Sequence, residues 1–337
     1  MAKKEILKNA AAGIGNVAKK TGGAIAKAPA NVVNAAGKSK QAVINALDQD
    51  GDGDVDIEDI IALGLKTPGI KINRSDFLRA ELTKHYPEDV IEDAIRFNPA
   101  HANIPAEEIE KLANHTIQFE RTCVSGISAA LSTPGGATMG ITIPADIAQY
   151  YGYMLRAMQK LMYLYGFPEI EFDGESKTLD TETMNTMIIC LGVMYGVNGA
   201  NKALTAMANA LGKGVEKKLL NAALTKGTLY PMVKSISKWF GVNMTKQIFA
   251  GFFKKAIPLV SGVIGGGITY LSFKPCCIKL QKTLRDTILS NPEKYASDTR
   301  EASDILDVEW TAEEIENPEA DTQDLQVREE EAENIEE

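Results

Sequence analysis

The chain has 337 residues, of which 45% are hydrophobic, 24% charged and 7% aromatic. This composition is too apolar for a wholly disordered protein, and four cysteines are too few for a small disulfide-stabilised scaffold. The net charge of −9 is unevenly distributed: residues 1–47 carry +7, residues 48–59 carry −7, residues 60–292 carry +6 and residues 293–337 carry −15. Such asymmetry predicts interaction segments near the ends of the chain.

Residues 1–40 form a basic leader that is rich in lysine and small residues. Apolar residues between Ile6 and Ala18 recur at helical spacing, with lysines among them. A basic amphipathic helix of this kind is typical of a segment that binds a membrane surface or a partner protein. Repeated glycines weaken the helix, so a disordered leader is the alternative. No long apolar run follows the first lysines, and a cleaved secretory signal is therefore not expected.

The acidic run from Asp48 to Asp59 reads DQDGDGDVDIED and matches the calcium-loop pattern D-x-[DN]-x-[DN]-G. A hard divalent cation takes about six to eight oxygen ligands, and this spacing arranges carboxylates and a sharp turn at Gly53 around one point. The candidate metal ligands are the six aspartates Asp48, Asp50, Asp52, Asp54, Asp56 and Asp59. Asp54 is expected to bind through its backbone carbonyl and Asp56 through water. The alternative is an acidic linker that binds no metal.

The loop resembles an EF-hand, and the aspartate at its twelfth position also resembles a dockerin loop. Apolar residues at helical spacing flank it on both sides, so we predict a helix–loop–helix over residues 41–66. These flanking residues are Val43, Ile44, Leu47, Ile60, Ile61 and Leu63. Because Asp59 is shorter than the usual glutamate, we expect weaker binding of Ca²⁺ and poorer discrimination against Mg²⁺. The loop is single, which favours a structural or electrostatic role over that of a sensor.

Helical spacing continues through most of the remaining chain, and no segment sustains the alternation of a half-buried strand. We therefore predict an all-α multi-helix bundle, in which residues 67–101 form a helical linker region and residues 102–290 the main domain. The predicted helices cover Asp76–Phe97, Pro105–Ile127, Pro144–Tyr165, a segment after Asp180, Lys202–Leu224, Pro231–Phe240 and Thr245–Phe253.

Three stretches carry no charge: Thr122–Ala145, Met184–Asn201 and Ala256–Phe273. Each is close to the roughly 20 residues that a membrane-spanning helix needs, and the spacing of Gly262 and Gly266 favours close helix packing in a membrane. Their high content of glycine, serine and threonine instead favours glycine-rich helical hairpins buried in the bundle. The sequence leaves burial and membrane insertion both open.

The predicted helix Pro144–Tyr165 carries a polar seam beside its apolar stripe. The seam consists of Asp146, Gln149, Tyr150, Tyr153, Arg156 and Lys160. A solvated face is the simpler interpretation, and a ligand-binding or catalytic face around Asp146 is the alternative. The chain contains no complete catalytic motif and no nucleic-acid-binding module, so no nucleic-acid partner is expected. Its cysteines show no metal-like spacing, and we expect buried, reduced thiols at Cys123, Cys190, Cys276 and Cys277.

Residues 291–337 are predicted to form an acidic disordered tail, because they are rich in glutamate and poor in aromatic residues. The tail is suited to compete for the basic leader. Within it, Asp304–Trp310 reads DILDVEW and forms a short apolar island. A local cluster without structural meaning is the simpler interpretation, and a short docking helix is the alternative.

The stretch VSGISAALSTPGGATMGITIPADIAQYYGYMLRAMQKLMYLYGFPEI resembles the core of the EcsC protein family, as does AIPLVSGVIGGGITYLSFKPCCIKLQKTLRD. The small-residue run, the Pro-Ala-Asp at the helix start, the Tyr-Gly at its end and the Phe-Lys-Pro after the glycine-rich hairpin carry the resemblance. It extends from about Ala102 to Leu289. The resemblance implies a helical bacterial protein, whose namesake is encoded beside an ABC transporter, in a family without an established activity.

These features predict a non-enzymatic helical protein that binds Ca²⁺, with Mg²⁺ as a second candidate. We expect it in the cytoplasm, peripheral to or inserted in the inner face of the cell membrane and associated with the membrane surface or a membrane protein complex. Two alternatives remain open. One is an enzyme that acts on lipid or peptide through the polar seam around Asp146, and the other is a soluble cytoplasmic scaffold whose loop only joins two helices.

Overall fold

The computed structural model describes residues 47–49, 51–66, 69–131, 142–170, 180–215, 217–241, 261–293, 300 and 302–316. These residues form twelve α-helices and no β-strand, which confirms the all-α prediction for this part of the chain. The helices are α1 (Ile57–Lys66), α2 (Arg74–Leu82), α3 (Glu88–Arg96), α4 (Ala106–Leu131), α5 (Thr142–Leu164), α6 (Thr181–Tyr195), α7 (Ala200–Gly212), α8 (Lys217–Thr225), α9 (230–241), α10 (Ser261–Arg285), α11 (Ala302–Leu306) and α12 (Ala312–Glu316).

Helix α5 lies at the centre of the bundle, in contact with α1, α2, α4, α6 and α10. Its apolar residues Leu155, Met158 and Leu161 are fully buried, and each such side chain contributes about 1.5–3 kcal/mol to folding. The helix ends at Gly166, whose φ of +91° is a left-handed conformation that favours glycine. The predicted helix Pro144–Tyr165 is thereby confirmed.

Helix α10 completes the core by packing on α4, α5, α6 and α7. Its cysteines Cys276 and Cys277 are buried and free, as are Cys123 on α4 and Cys190 on α6. The prediction of buried, reduced thiols is therefore confirmed.

Two predicted helices are each divided in the structure. The helix expected over Asp76–Phe97 is two helices, α2 and α3, because Pro87 precedes α3 in an extended conformation and disfavours helical backbone before it. The helix expected over Lys202–Leu224 is also two helices, α7 and α8, with Gly214 between them at a φ of +67°. The predicted helix Thr245–Phe253 lies outside the described residues.

The charge-free stretch Met184–Asn201 forms α6 and the start of α7. Asp180 caps α6 by accepting a hydrogen bond from the backbone N–H of Thr183, and Gly196 ends the helix at a φ of +73°. From Met187 to Met194 every residue of α6 is buried against the rest of the bundle. The other two charge-free stretches lie partly outside the described residues. Among the residues that are described, no helix combines the length and the apolar content needed to cross a membrane.

The C-terminal segment, residues 302–316, packs against the bundle through α11 and α12. Helix α11 contacts α7, and Ile305 and Leu306 are buried. Over these residues the structure differs from the predicted disordered tail, and Asp304–Trp310 belongs to a docked segment. The reason is that Ile305 and Leu306 enter the core and that Val308 and Trp310 pack against it. The basic leader (residues 1–40) and residues 317–337 lie outside the described part of the chain.

Candidate functional site

The acidic loop folds around the carboxylate of Asp48. Its Oδ1 accepts a hydrogen bond from the backbone N–H of Gly51 at 2.6 Å, and its Oδ2 accepts one from Gly53 at 3.0 Å. Both glycines have left-handed backbones, with φ of +84° and +93°. The turn expected at Gly53 is therefore present, and a residue with a side chain would be strained at either position.

Asp56 and Asp59 form a reciprocal cap at the start of α1. Asp56 Oδ1 accepts a hydrogen bond from Asp59 N at 3.2 Å, while Asp59 Oδ2 accepts one from Asp56 N at 3.0 Å. This arrangement is a capping box, which satisfies backbone N–H groups that have no partner within the helix. Asp59 Oδ1 also accepts a hydrogen bond from Gln49 N at 2.6 Å. The Asp59 side chain, only 3% exposed, therefore joins the beginning of the loop to its end.

The remaining predicted ligands lie nearer the surface. Asp48 is half-buried, whereas Asp52 and Asp54 are exposed, and Asp52 Oδ1 accepts a hydrogen bond from Asp54 N at 2.8 Å. Asp50 lies outside the described residues. In the part of the chain that is described, no three acidic, histidine or cysteine side chains are grouped as metal ligands. The described carboxylates instead accept hydrogen bonds from the loop backbone.

Apolar residues on both sides anchor the loop to the bundle. Leu47 before the loop, Ile57 within it, and Ile60 and Ile61 after it are buried in the core. Gly64 of α1 faces α5 so closely that a Cβ atom there would lie 2.8 Å from Leu155 Cδ1. The loop thus projects from a helix whose position is fixed by packing, although most of the first predicted helix lies outside the described residues.

Where its side chains are described, from Gln149 to Lys160, the polar seam of α5 is buried or half-buried, so the prediction of a solvated face is wrong for these residues. Gln149 and Tyr153 are each 3% exposed and Lys160 is 9% exposed. The seam faces α4, where Gln149 Nε2 donates to the Val124 carbonyl oxygen at 3.4 Å. Of Asp146, which the enzyme alternative requires, the structure describes the backbone within α5 but not the side chain.

Pairing with Glu120 on α4 explains why the basic residues of the seam lie in the interior. Its carboxylate is fully buried and accepts a hydrogen bond from Lys160 Nζ at 2.6 Å. Arg156 Nε lies 3.1 Å from its Oε2 and 3.2 Å from its Oε1. Two cations thus neutralise one buried carboxylate, and unpaired burial of that carboxylate would be very costly.

Sequence analysis missed Glu120, although its spacing contained a signal. Glu120 follows Ile117 by three residues and precedes Val124 by four, so it lies on the apolar face of α4. An acid at such a position needs a cation beside it. Arg156 and Lys160 of α5 have helical spacing, but so do Lys234 and Lys238 of α9, so the sequence signals the need for a partner without identifying it.

The surroundings of the ion cluster favour a structural role over nucleophilic chemistry. Lys160 Nζ lies 5.4 Å from the ring centre of Phe77 and 5.5 Å from that of Phe119, within the range of cation–π attraction. Burial, and secondarily the charge of Glu120, raises the pKa of the neighbouring Cys123 thiol to about 11. A thiol with this pKa remains protonated near neutral pH and is a poor nucleophile.

The same face of α5 fixes the segment that follows α1. Gln159 accepts a hydrogen bond from Ile72 N at 3.0 Å and donates to the Ile70 carbonyl oxygen at 3.0 Å. Arg156 also donates to the carbonyl oxygen of Gly69. Gln159, beside the seam, and Arg156 of the seam therefore hold the segment between α1 and α2 in place. Polar residues in the interior thus also serve to position neighbouring helices.

Comparisons of the chain with models of protein families, with curated proteins and with solved structures found no match.

Proposed function

We propose that this helical protein binds a divalent cation, Ca²⁺ or secondarily Mg²⁺, in the loop Asp48–Asp59 and associates with a membrane or membrane complex at the cytoplasmic face. The observation that carries the proposal is the loop backbone: Gly51 and Gly53 adopt left-handed conformations and direct their N–H groups at the Asp48 carboxylate. A turn of this type is what a short oxygen-rich cation loop requires. The proposal is of a non-enzymatic protein, and the resemblance to the EcsC family remains part of it.

The donor set is chemically suited to a hard cation. The loop offers six aspartate carboxylates within twelve residues, and hard divalent cations prefer such oxygen ligands. In the proposed site, Asp48, Asp50 and Asp52 bind through their carboxylates, Asp54 through its carbonyl oxygen, Asp56 through water and Asp59 through its carboxylate. Since both oxygens of Asp59 accept backbone hydrogen bonds, its participation implies that the capping box opens.

Charge supports a link between cation binding and membrane association. The loop has a charge of −7 and directly follows a leader with a charge of +7. A bound dication reduces the repulsion between the loop and an anionic lipid surface, while each basic residue near that surface contributes about 1 kcal/mol of attraction. Cation binding is therefore expected to strengthen attachment.

Calorimetric titration of the full chain with CaCl₂ and MgCl₂ tests the metal site. We expect saturable binding to the wild type, with Ca²⁺ preferred, and at least about a tenfold loss of affinity in the variant D48N/D52N, because two carboxylates are removed. The variant D89N/D93N is the matched control, since it neutralises two exposed aspartates of α3 outside the loop. Equal affinity in both variants would show that the cation binds elsewhere.

Flotation of the chain with anionic lipid vesicles, with Ca²⁺ and with a chelator, tests the second half of the proposal. We expect the floated fraction to rise with Ca²⁺ in the wild type and in D89N/D93N, but not in D48N/D52N. Equal recovery in the soluble fraction under both conditions would contradict membrane association. Binding of the cation with a rise in thermal stability alone would identify the scaffold alternative.

A further inference from the structure

The C-terminal segment and the helices beneath it carry opposite charges. Residues 200–241, which contain α7, α8 and α9, include seven lysines and a single acid, Glu216. Residues 302–316 include six acids and no basic residue. The two parts of the chain therefore have net charges of +6 and −6, and the acidic part lies against the basic one.

Lys202 of α7 contacts the C-terminal segment in three ways. Its Nζ donates a hydrogen bond to the backbone carbonyl oxygen of Glu309. The same atom lies 5.1 Å from the ring centre of Trp310 and 3.8 Å from Glu314 Oε2. One lysine thus pairs with a carbonyl, an aromatic face and a carboxylate, as expected for a cationic surface that recognises an anionic, aromatic ligand.

The turn between α8 and α9 holds the other side of the segment. Trp310 Nε1 donates to the Thr228 carbonyl oxygen at 2.6 Å, and the Thr228 hydroxyl donates to the carbonyl oxygen of Leu306. Further along α9, Ser235 Oγ donates to the carbonyl oxygen of Glu314 at 3.1 Å. These hydrogen bonds, together with the buried side chains of Ile305 and Leu306, hold residues 302–316 on the bundle.

Residues 200–241 carry further lysines besides Lys202. Those with exposed side chains are Lys217, Lys218, Lys226, Lys234 and Lys238. Leu219, directly after two of them, is 50% exposed and is one of the few large apolar side chains on the described surface. Two lysines beside an exposed leucine fit an anionic lipid surface, because the headgroups pair with the cations while the apolar side chain enters the interface.

We infer that the surface of α7, α8 and α9 is a docking site for anionic lipid and that the C-terminal segment is its internal competitor. The inference rests on the proposed membrane association and adds the place of contact and its regulation. In the closed state, the six acids reduce the potential of the basic surface and Trp310 occupies part of it. An anionic membrane, with many more charges, displaces the segment by mass action.

Flotation in the presence of a chelator tests whether the C-terminal segment competes with anionic lipid. The variant Trp310→Ala removes the indole that bonds Thr228 and stacks with Lys202 but leaves the net charge unchanged. We expect it to bind vesicles containing phosphatidylglycerol about tenfold more tightly than the wild type, because the closed state is less populated. Phe97→Ala, which removes an aromatic side chain outside residues 200–241 and 302–316, is the control and should bind as the wild type does.

A lysine series tests the surface itself. In the Trp310→Ala background, K217Q/K218Q/K226Q should weaken partitioning to anionic vesicles on the order of 100-fold, because three cations near the surface are lost. The control K71Q/K84Q/K111Q neutralises three exposed lysines outside α7–α9 and should retain most of the binding. Equal weakening by both sets would contradict a specific surface.

Tryptophan fluorescence measures displacement without disturbing the segment. The chain has two tryptophans, so Trp239→Phe leaves Trp310 as the only reporter. Anionic vesicles should shift its emission on release from Thr228, whereas vesicles of phosphatidylcholine alone should not. This measurement tests displacement of the C-terminal segment even when Trp310→Ala fails to fold.

The outcomes distinguish this inference from the proposed cation dependence. An unchanged Trp310 signal, together with equal flotation of Trp310→Ala and Phe97→Ala, would overturn the inference whatever Ca²⁺ does. A rise for Trp310→Ala in chelator, with no effect of Ca²⁺ or of D48N/D52N, would support the inference and contradict the role of the loop.

Discussion

The buried side chain of Arg74 caps the C-terminus of α3. Its guanidinium donates hydrogen bonds to the carbonyl oxygens of Ala94, Ile95 and Phe97 at the end of α3, and to that of Phe167 after α5. Carbonyls at a helix C-terminus have no partner within the helix, and a positive charge there also complements the helix dipole. One side chain therefore joins α2, α3 and the end of α5.

The variant Arg74→Met tests this role. We expect it to lower the free energy of unfolding by about 3 kcal/mol, because several buried carbonyls lose their donor. Arg79→Met is the matched control on the same helix, where the guanidinium forms exposed ion pairs with Glu88 and Glu92 that solvent screens and that contribute little to stability. Urea unfolding of the two variants gives the comparison, and equal losses would contradict the capping role.

At the scale of helices, glycines permit close approach in the core. At Gly192 on α6, a Cβ atom would lie 2.7 Å from Ile236 Cδ1 of α9 and 3.1 Å from Ala200 Cβ of α7. These distances are shorter than normal van der Waals contact, so glycine is needed where α6 meets both neighbours. The charge-free, glycine-containing character of Met184–Asn201 therefore has a packing explanation.

Substitution of Gly192 tests this close packing. Gly192→Val should destabilise the fold by about 3 kcal/mol, because a buried side chain is forced against Ile236. Gly241→Val is the control, since among the described residues no atom beyond its own helix backbone and chain neighbours lies within 4 Å of a Cβ atom built there. In thermal or urea unfolding, adding Ile236→Ala should recover part of the loss in Gly192→Val. Additive effects of the two substitutions would show that the side chains do not meet.

At the scale of the whole molecule, the core buries ionisable thiols and phenols in their neutral forms. Burial raises the pKa of Cys190 to about 12 and that of Cys123 to about 11, from an ordinary value of 9.0. It also raises the pKa of Tyr151 and Tyr163 to about 12, from 10.0. The folded state therefore keeps protons that the unfolded chain releases at alkaline pH.

This difference predicts a loss of stability at alkaline pH. The contribution of the two thiols is complete below about pH 9 and decreases as the pH rises towards 11 to 12, because only the unfolded state is then deprotonated. Each thiol adds a slope of up to about 1.4 kcal/mol per pH unit in this window. Urea unfolding at pH 7, 8.5 and 10 measures the effect, and the variant C123A/C190A should flatten the profile. A profile that stays flat in the wild type up to pH 10.5 would contradict the argument.

Local signals in the sequence identified much of the fold. Asp180 caps α6 and Gly166 ends α5, and both effects act within one helical turn. The calcium-loop pattern likewise predicted the turn at Gly53. The division at Pro87 was missed, because helical spacing on both sides of a break is the same as in one continuous helix.

Periodicity, helix caps and turns depend on neighbours in the chain. From them the sequence predicts helices, where α5 and α6 begin or end, and which residues form the acidic loop. Burial of the polar seam follows instead from tertiary packing, since Glu120 lies 36 and 40 residues from Arg156 and Lys160. Docking of residues 302–316 does too, through contacts that span 107 residues from Lys202 to Glu309. Burial of a charged side chain is very costly unless a partner of opposite charge is buried beside it. Whether two residues distant in the sequence become such neighbours depends on the packing of whole helices.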